Sequence, residues 1–365
     1  MRIVADEGIV AVDSYFSAFG ELITLPGRQI SAADVRDADA LLVRSITRVD
    51  RALLEHSRVR FVATATSGTD HLDMEWLRQA GIAVHDAAGC NANAVLEYVL
   101  TALASLKHMA LFDKAKPTVG IVGAGQVGGR LAQLCRQIGF PCVVTDPFLT
   151  REQQESLQAM GVELSDLQTV LTADIVSLHT PLTRTVPHPT WHLLNHETLD
   201  MLQDDAVLIN ASRGEVVDTR ALIEFLKKKR SIRTVFDVWE NEPRVDPDLC
   251  ARVDIATPHI AGYSIQAKLA ASLANYRSFV QFFGFQADLG LADAAALDVM
   301  TIPVRTLSRK SLYGMNQESV AALIAAFPLP ALSREFKLAV ASGQGERQFD
   351  DMRAHLARRH EFLHA

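Results

Sequence analysis

At 365 residues the chain exceeds the size of a single hydrophobic core, so more than one domain is expected. Hydrophobic residues at 48% and charged residues at 22% fit a folded globular protein and argue against a disordered or fibrous one. A net charge of −7 argues against a general nucleic-acid or anionic-membrane surface, because neither collects phosphate without a positive field; any anion must meet a local site.

The N-terminus, Met1-Arg-Ile-Val-Ala-Asp-Glu7, has acids among its first residues and no apolar run of signal-peptide length, and nowhere do eighteen apolar residues stand together. A cytoplasmic protein without membrane spans is expected. Cys90, Cys135, Cys142 and Cys250 form no Cys-x-x-Cys pair and are too sparse for a disulfide framework, so they are expected to be reduced and structural.

From Arg2 to Val84 short apolar runs at Ile3-Val4, Ala40 to Val43, Phe61 to Ala63 and Ile82 to Val84 alternate with helical patterns, which predicts a small parallel α/β sheet. Asn91 to Phe112 is rich in Ala and Leu and predicts a mostly buried helix of about six turns. After Pro117 a second series predicts strands near Thr118–Val122, Cys142–Asp146, Asp174–His179, Ala206–Asn210, Arg233–Val238 and Ile255–Pro258. Helices at Gln126 to Ile138 and Thr219 to Lys229 fall between them, a doubly wound pattern whose ligands sit at the carboxyl ends of the strands. Tyr263 to Phe283 again reads as helical, and the residues beyond Phe285 carry no catalytic motif.

Gly123-Ala-Gly125-Gln126-Val127-Gly128 is G-x-G-x-x-G between a strand and a helix. The first glycine permits the turn, the second lets backbone approach a pyrophosphate, and the third lets helix pack on strand. Asp146 closes the next strand, where a carboxylate accepts the adenosine ribose hydroxyls and repels a 2′-phosphate. The cofactor expected is therefore NAD rather than NADP.

Removing a hydride from a secondary alcohol needs a base for the hydroxyl proton and, for a hydroxy acid, a cation for the carboxylate. Three predicted strand ends offer these groups. Arg213 has the planar fork that grips a carboxylate, His259 titrates in the physiological range, and Glu242 would fix the tautomer of that histidine. His188, His192 and His196 recur every four residues, but Pro187 and Pro189 break a helix there and no acid or thiol completes a set, so no metal is expected. Lys227 to Arg230 reads as the cationic end of a helix, and Trp76, Trp191 and Trp239 as packing residues.

These motifs, with Asn210-Ala-Ser-Arg-Gly214, Asp237-Val-Trp-Glu240, Glu242-Pro243 and Thr257-Pro-His-Ile-Ala-Gly-Tyr263, resemble the D-2-hydroxyacid dehydrogenases from Met1 to about Phe283. The resemblance implies α/β architecture with two doubly wound Rossmann-like domains, substrate and NAD-binding, plus a small C-terminal α+β domain. The implied partition is residues 1–90 and 259–285 for the substrate-binding domain, 91–258 for the NAD-binding domain and 286–365 for a dimerisation domain, hence a homodimer. It implies Arg213 on the carboxylate, His259 as acid-base residue with Glu242 as its partner, and NAD contacts from Asp146, Thr180, Asp237 and Gly262.

The strings around Arg44-Ser45, Thr66 to Thr69, Gly89-Cys-Asn91 and His259 to Tyr263 are closer to family members acting on 4-phospho-D-erythronate than to phosphoglycerate or formate dehydrogenases. By that resemblance Ser45, Thr66 and Tyr263 would contact a small phosphorylated 2-hydroxy acid, and Arg44 is added here as a phosphate ligand. Two rivals stand beside this expectation: a dehydrogenase of another acid such as 3-phosphoglycerate, and an NAD-responsive regulatory protein on the same fold.

Overall fold

A computed structural model describes residues 1–185, 187–228, 231–286, 307–308, 315–356 and 358–364. The chain divides into two compact units, one formed by Met1–Asn91 with Ser264–Pro303 and the other by Ala92–Tyr263 with Val304–Ala365.

In the first unit β1 (Arg2–Asp6), β2 (Glu21–Leu25), β3 (Ala40–Val43), β4 (Phe61–Thr64) and β5 (Ala83–Asp86) form an all-parallel sheet in the order β2-β1-β3-β4-β5. Alternate residues feed two cores. Ile3, Ala5, Ala40, Leu42, Phe61 and Ala63 pack on one face, while Val4, Leu41, Val43 and Val62 pack on the other. Because both faces are covered, these strands read as continuous apolar runs. The edge strand β2 is only half-buried, so its mixed sequence carries no such signal.

The helix Ile265–Phe283 begins on Ser264, whose hydroxyl accepts the Ala267 N–H at 2.9 Å, and stops at Gly284 in the left-handed region (φ 73°). It returns the chain to the first unit by burying an aromatic ridge. Phe279 lies 5.4 Å from Phe16 and 5.9 Å from Phe61, edge to face in both cases.

In the second unit β6 (Val119–Val122), β7 (Cys142–Thr145), β8 (Glu163–Leu164), β9 (Ile175–Leu178), β10 (Val207–Asn210), β11 (Arg233–Phe236) and β12 (Ile255–Ala256) run parallel in the order β12-β11-β10-β9-β6-β7-β8. This is a doubly wound sheet whose order reverses between β6 and β9, where a crevice opens at the carboxyl edge. Six of its strands follow the expected series; β8 is a two-residue edge strand that leaves no apolar run.

The long helix spans Ala92–His108 and is buried from Ala94 to Leu106. It ends before Phe112 because Ala110 turns left-handed (φ 56°) while the Leu111 N–H returns to Leu106 O at 2.9 Å, folding Leu111 and Phe112 onto the core. Burial pushes the Cys142 thiol up to about 12 and that of Cys250 to about 11, so these cysteines are inert packing residues.

The described C-terminal residues add three helices, Gln317–Ala326, Leu329–Ala341 and Gly345–Leu356, and a short parallel pair of strands at Leu307–Ser308 and Leu363–His364. Residues 287–306 and 309–314 of the expected dimerisation domain lie outside the described residues. Val320, Leu323, Phe327 and Phe362 share the core that contains the long helix, and Phe336, Phe349 and Met352 share the core on the other face of the sheet. Among the described residues no single helix is long and apolar enough to cross a membrane.

One buried acid ties the C-terminal residues down. Glu97, fully buried on the long helix, accepts the Phe362 and Leu363 N–H groups at 2.5 and 2.8 Å and pairs with Arg359 Nη1 at 2.5 Å. Removing it strands a cation that is 7% exposed together with two backbone donors. Glu97→Ala is therefore expected to cost about 3–5 kcal/mol, read as a lowered midpoint of thermal or urea unfolding. An unchanged midpoint would refute this.

Candidate active site

Because all seven strands of the second sheet are parallel, every loop that leaves a carboxyl end opens on the same edge. At the end of β6, Gly123 has φ 88°, and a Cβ there would lie 2.8 Å from His179 O. A Cβ on Gly128 would lie 1.9 Å from Gly123 O, so the third glycine is a packing necessity. A Cβ on Gly125 would meet nothing within 4 Å, which is space for a ligand.

Other groups at this edge fit a dinucleotide. Asp146 anchors the glycine turn by accepting the Ala124 N–H at 2.8 Å and also accepts Phe148 N–H at 2.9 Å, leaving an acceptor direction on each oxygen for a ribose hydroxyl. Across the crevice, at the end of β9, the Thr180 hydroxyl is buried without a partner, as expected of a group that meets a cofactor. Gln126 is exposed, while Val127 packs on the core. His179, bonded to Ser177 Oγ at 2.8 Å, is driven down to about 4 by burial and stands neutral beside the turn.

The turn after β10 is shaped by the buried Asn210, whose Oδ1 accepts Ser212 N and Oγ at 3.1 and 2.9 Å and whose Nδ2 donates to Arg213 O at 3.0 Å. Arg213 follows, half-buried, with Nη1 donating to Ser212 O at 2.8 Å. A Cβ on Gly214 would lie 2.0 Å from the Trp239 carbonyl carbon. Only glycine there lets the Arg213 turn close against the loop after β11.

In that loop Trp239 N–H donates to Glu242 Oε1 at 2.8 Å, and the Trp239 indole donates to Thr257 O at 2.9 Å. Glu242 Oε2 meets His259 Nδ1 at 2.7 Å. Burial pushes the Glu242 carboxyl up, but the His259 charge and hydrogen bond, the Trp239 N–H and the Arg353 charge outweigh it and hold the carboxyl below its ordinary value. The bonded, ionised Glu242 is thus in place above its unfolded value and is lost only as pH falls through the lowered folded one.

His259 reaches Glu242 from a left-handed backbone (φ 55°), unusual for a residue with a Cβ. Asp237 holds it there. This fully buried carboxylate accepts Thr257 Oγ1 at 2.6 Å and the N–H groups of Ile260 and Ala261 at 2.8 Å, while its backbone carbonyl accepts His259 N–H at 2.6 Å. Burial holds the Asp237 carboxyl above its ordinary value. Gly262 and Tyr263 continue the loop, both half-buried.

In the first unit Arg44 pairs side-on with the fully buried Asp6, Nε and Nη2 each donating at 2.9 Å. Ser45 is exposed beside it. Thr66 Oγ1 lies 2.8 Å from Thr64 Oγ1, which lies 2.9 Å from His71 Nε2. His192 sits between Glu240 at 2.6 Å and Asp218 at 3.5 Å, and of the three spaced histidines only His196 is on a helix, the short His196–Leu199. Lys227 pairs with Asp248 at 3.5 Å, whereas Lys229 and Arg230 lie outside the described residues.

Sequence reasoning missed Asn210, Thr257 and Tyr98, whose hydroxyl lies 2.7 Å from Thr257 Oγ1, and it treated Trp239 as packing alone. Asn210 and Thr257 stood in the strings that carry the resemblance, and each is a polar residue at the end of an apolar strand, but neither signal assigned them a role.

An edge with a glycine turn open at Gly125 and, on three successive loops, an arginine, a glutamate and the histidine paired with it is that of an NAD-dependent dehydrogenase of hydroxy acids. A family model described as the D-isomer specific 2-hydroxyacid dehydrogenase, NAD binding domain, matches residues 99–261. The chain is 47% identical over 313 residues to an erythronate-4-phosphate dehydrogenase of Pseudomonas entomophila, covering 86% of this chain and 78% of that one. Its identity to the enzyme of that name from Azotobacter vinelandii is 51% over 282 residues, covering 77% and 72%.

Among solved structures, the NAD-bound 3-phosphoglycerate dehydrogenase of Entamoeba histolytica shares the fold at a TM-score of 0.65 and 23% identity, over 79% of this chain and 98% of that one. The NAD complex of formate dehydrogenase from Staphylococcus aureus does so at 0.63 and 19%, over 78% and 97%. The chain belongs to the D-isomer specific 2-hydroxyacid dehydrogenases and, among them, to the family of the erythronate-4-phosphate dehydrogenases.

The glycines separate packing from binding. Gly128→Ala is expected to lower the unfolding midpoint, because its Cβ has no room, whereas Gly125→Ala keeps the midpoint and weakens NAD binding measured by fluorescence titration. Equal behaviour of the two variants would contradict the assignment.

Proposed function

We propose that the chain oxidises 4-phospho-D-erythronate at C2, passing a hydride to NAD⁺ and releasing (R)-3-hydroxy-2-oxo-4-phosphooxybutanoate, a proton and NADH, as a step of pyridoxal 5′-phosphate biosynthesis. The observation that carries this reading is the 2.7 Å pair of Glu242, on the loop after β11, and His259, on the loop after β12, at the same sheet edge as Arg213 after β10, in a chain 47% identical to a relative of that name. NAD⁺, when bound, supplies the hydride acceptor.

The protein's own groups do the rest. Glu242 engages Nδ1 of His259, which leaves Nε2 to take the C2 hydroxyl proton, and the carboxylate stabilises the imidazolium that forms. Arg213 has the five-donor planar fork that grips the substrate carboxylate and polarises the developing carbonyl. Ser45, Thr66 and Tyr263 bind the substrate through hydroxyls, and Arg44, oriented by Asp6, contributes to its phosphate end.

The glycine turn from Gly123 through Gln126 and Val127 to Gly128 cradles the pyrophosphate, and Asp146 takes the ribose hydroxyls. Thr180 and Gly262 line the cofactor, and Asp237 adds the acceptor direction that its three donors leave on Oδ2. In this reading the first unit binds substrate, the second binds NAD, the C-terminal residues dimerise, and the enzyme works in the cytoplasm.

Two measurements test the proposal. His259→Ala is expected to cut kcat by about 10²–10⁴-fold while NAD affinity holds, and a surviving turnover would require another base. With NADH followed optically under conditions that remove the keto acid, 4-phospho-D-erythronate should be oxidised in preference to 3-phospho-D-glycerate and to D-erythronate. Equal rates on all three acids would refute the substrate assignment.

A further inference from the structure

We propose that Arg353, on the C-terminal helix Gly345–Leu356, binds the distal phosphate of the substrate and sets the preference for a phosphorylated over an unphosphorylated 2-hydroxy acid, an inference that rests on the function proposed above.

A phosphate monoester carries about −1.5 to −2 charges at neutral pH, so its recognition calls for cationic charge beyond the arginine assigned to the carboxylate. Arg44 brings little net charge, because Nε and Nη2 both donate to the carboxylate of the fully buried Asp6. Arg359 also has a buried N–H without a partner, Nη2, but its charge is matched by Glu97 at 2.5 Å and its Nε donates to the carbonyl of Tyr263 at 3.1 Å.

Arg353 differs from both. Its side chain is 15% exposed, yet Nε is buried with no hydrogen-bond partner, and its ion pair among the described residues is a long 3.8 Å contact to Asp350, which is half exposed. A buried guanidinium short of acceptors is costly unless a ligand supplies them. The guanidinium carbon lies 5.2 Å from the centre of the Tyr263 ring and 5.4 Å from that of Phe349. Aromatic contacts of this kind hold a guanidinium in place without using its N–H groups, which remain suited to paired phosphate oxygens.

The position suits the chemistry. Tyr263 is four residues beyond His259 on the same loop, and the charge of Arg353 reaches far enough to help keep Glu242 ionised. The phosphate of the proposed substrate is on C4, two carbons from the C2 that His259 serves, so a cation next to this loop is where a phosphorylated acid would differ from its dephosphorylated counterpart.

Wild type, Arg353→Met and Arg353→Lys are compared on 4-phospho-D-erythronate and D-erythronate. In R353M, KM for the phosphorylated acid should rise by roughly 10- to 100-fold, while kcat/KM for D-erythronate falls far less, by no more than the loss of its charge near Glu242 accounts for. R353K, which keeps charge but loses the fork, should fall between, and it answers the same question should R353M fail to fold by circular dichroism. A phosphate preference that survives both substitutions overturns the role of Arg353. So does an equal loss on both acids, which would mark a residue that only supports Glu242 or the fold. If wild type itself shows no preference, the substrate assignment fails and this inference with it.

Discussion

The buried carboxylate of Asp237 is the constraint on which the catalytic edge depends. A parallel sheet delivers its loops to one edge, but that alone leaves each loop free to take many shapes. By accepting Thr257 Oγ1 and the N–H groups of Ile260 and Ala261, Asp237 draws the chain after β12 into a tight turn around itself. His259 lies inside that turn and takes a left-handed backbone as the consequence. Strain of this kind persists where neighbours over-determine it, and here three side-chain bonds and one backbone bond do so.

The long helix extends the same control. Two adjacent residues on it face different tasks: Tyr98 bonds Thr257, which bonds Asp237, while Glu97 gathers Arg359 and the N–H groups of Phe362 and Leu363. Arg359 in turn donates to the carbonyl of Tyr263. The C-terminal residues and the His259 loop are therefore held by neighbouring positions of one helix. Trp239 closes the arrangement, with its backbone on Glu242 and its indole on Thr257.

The glycines show how one residue type serves opposite ends. Gly128 and Gly214 are required because backbone passes within about two ångströms of where a Cβ would sit, whereas Gly125 faces open space that a pyrophosphate can fill. A motif read as a binding signature is thus part fold and part site.

Much of this was legible before any coordinate. Strands buried on both faces declare themselves as apolar runs, so most of both sheets, the glycine turn, Asp146, and the strand-end positions of Arg213, Glu242 and His259 could be read from local pattern. The half-buried β2 and two-residue β8 could not, since edge strands lack that pattern. By itself the sequence determined the fold class and the chemical types available at the carboxyl edge, because burial periodicity and turn chemistry are local. Only the tertiary structure decided that Glu242 engages Nδ1 of His259, that Asp237 serves as anchor, that Arg44 is already paired with Asp6, and that Arg353, ninety residues beyond Tyr263, lies over its ring. Those contacts join residues far apart in the chain, and no local propensity records them.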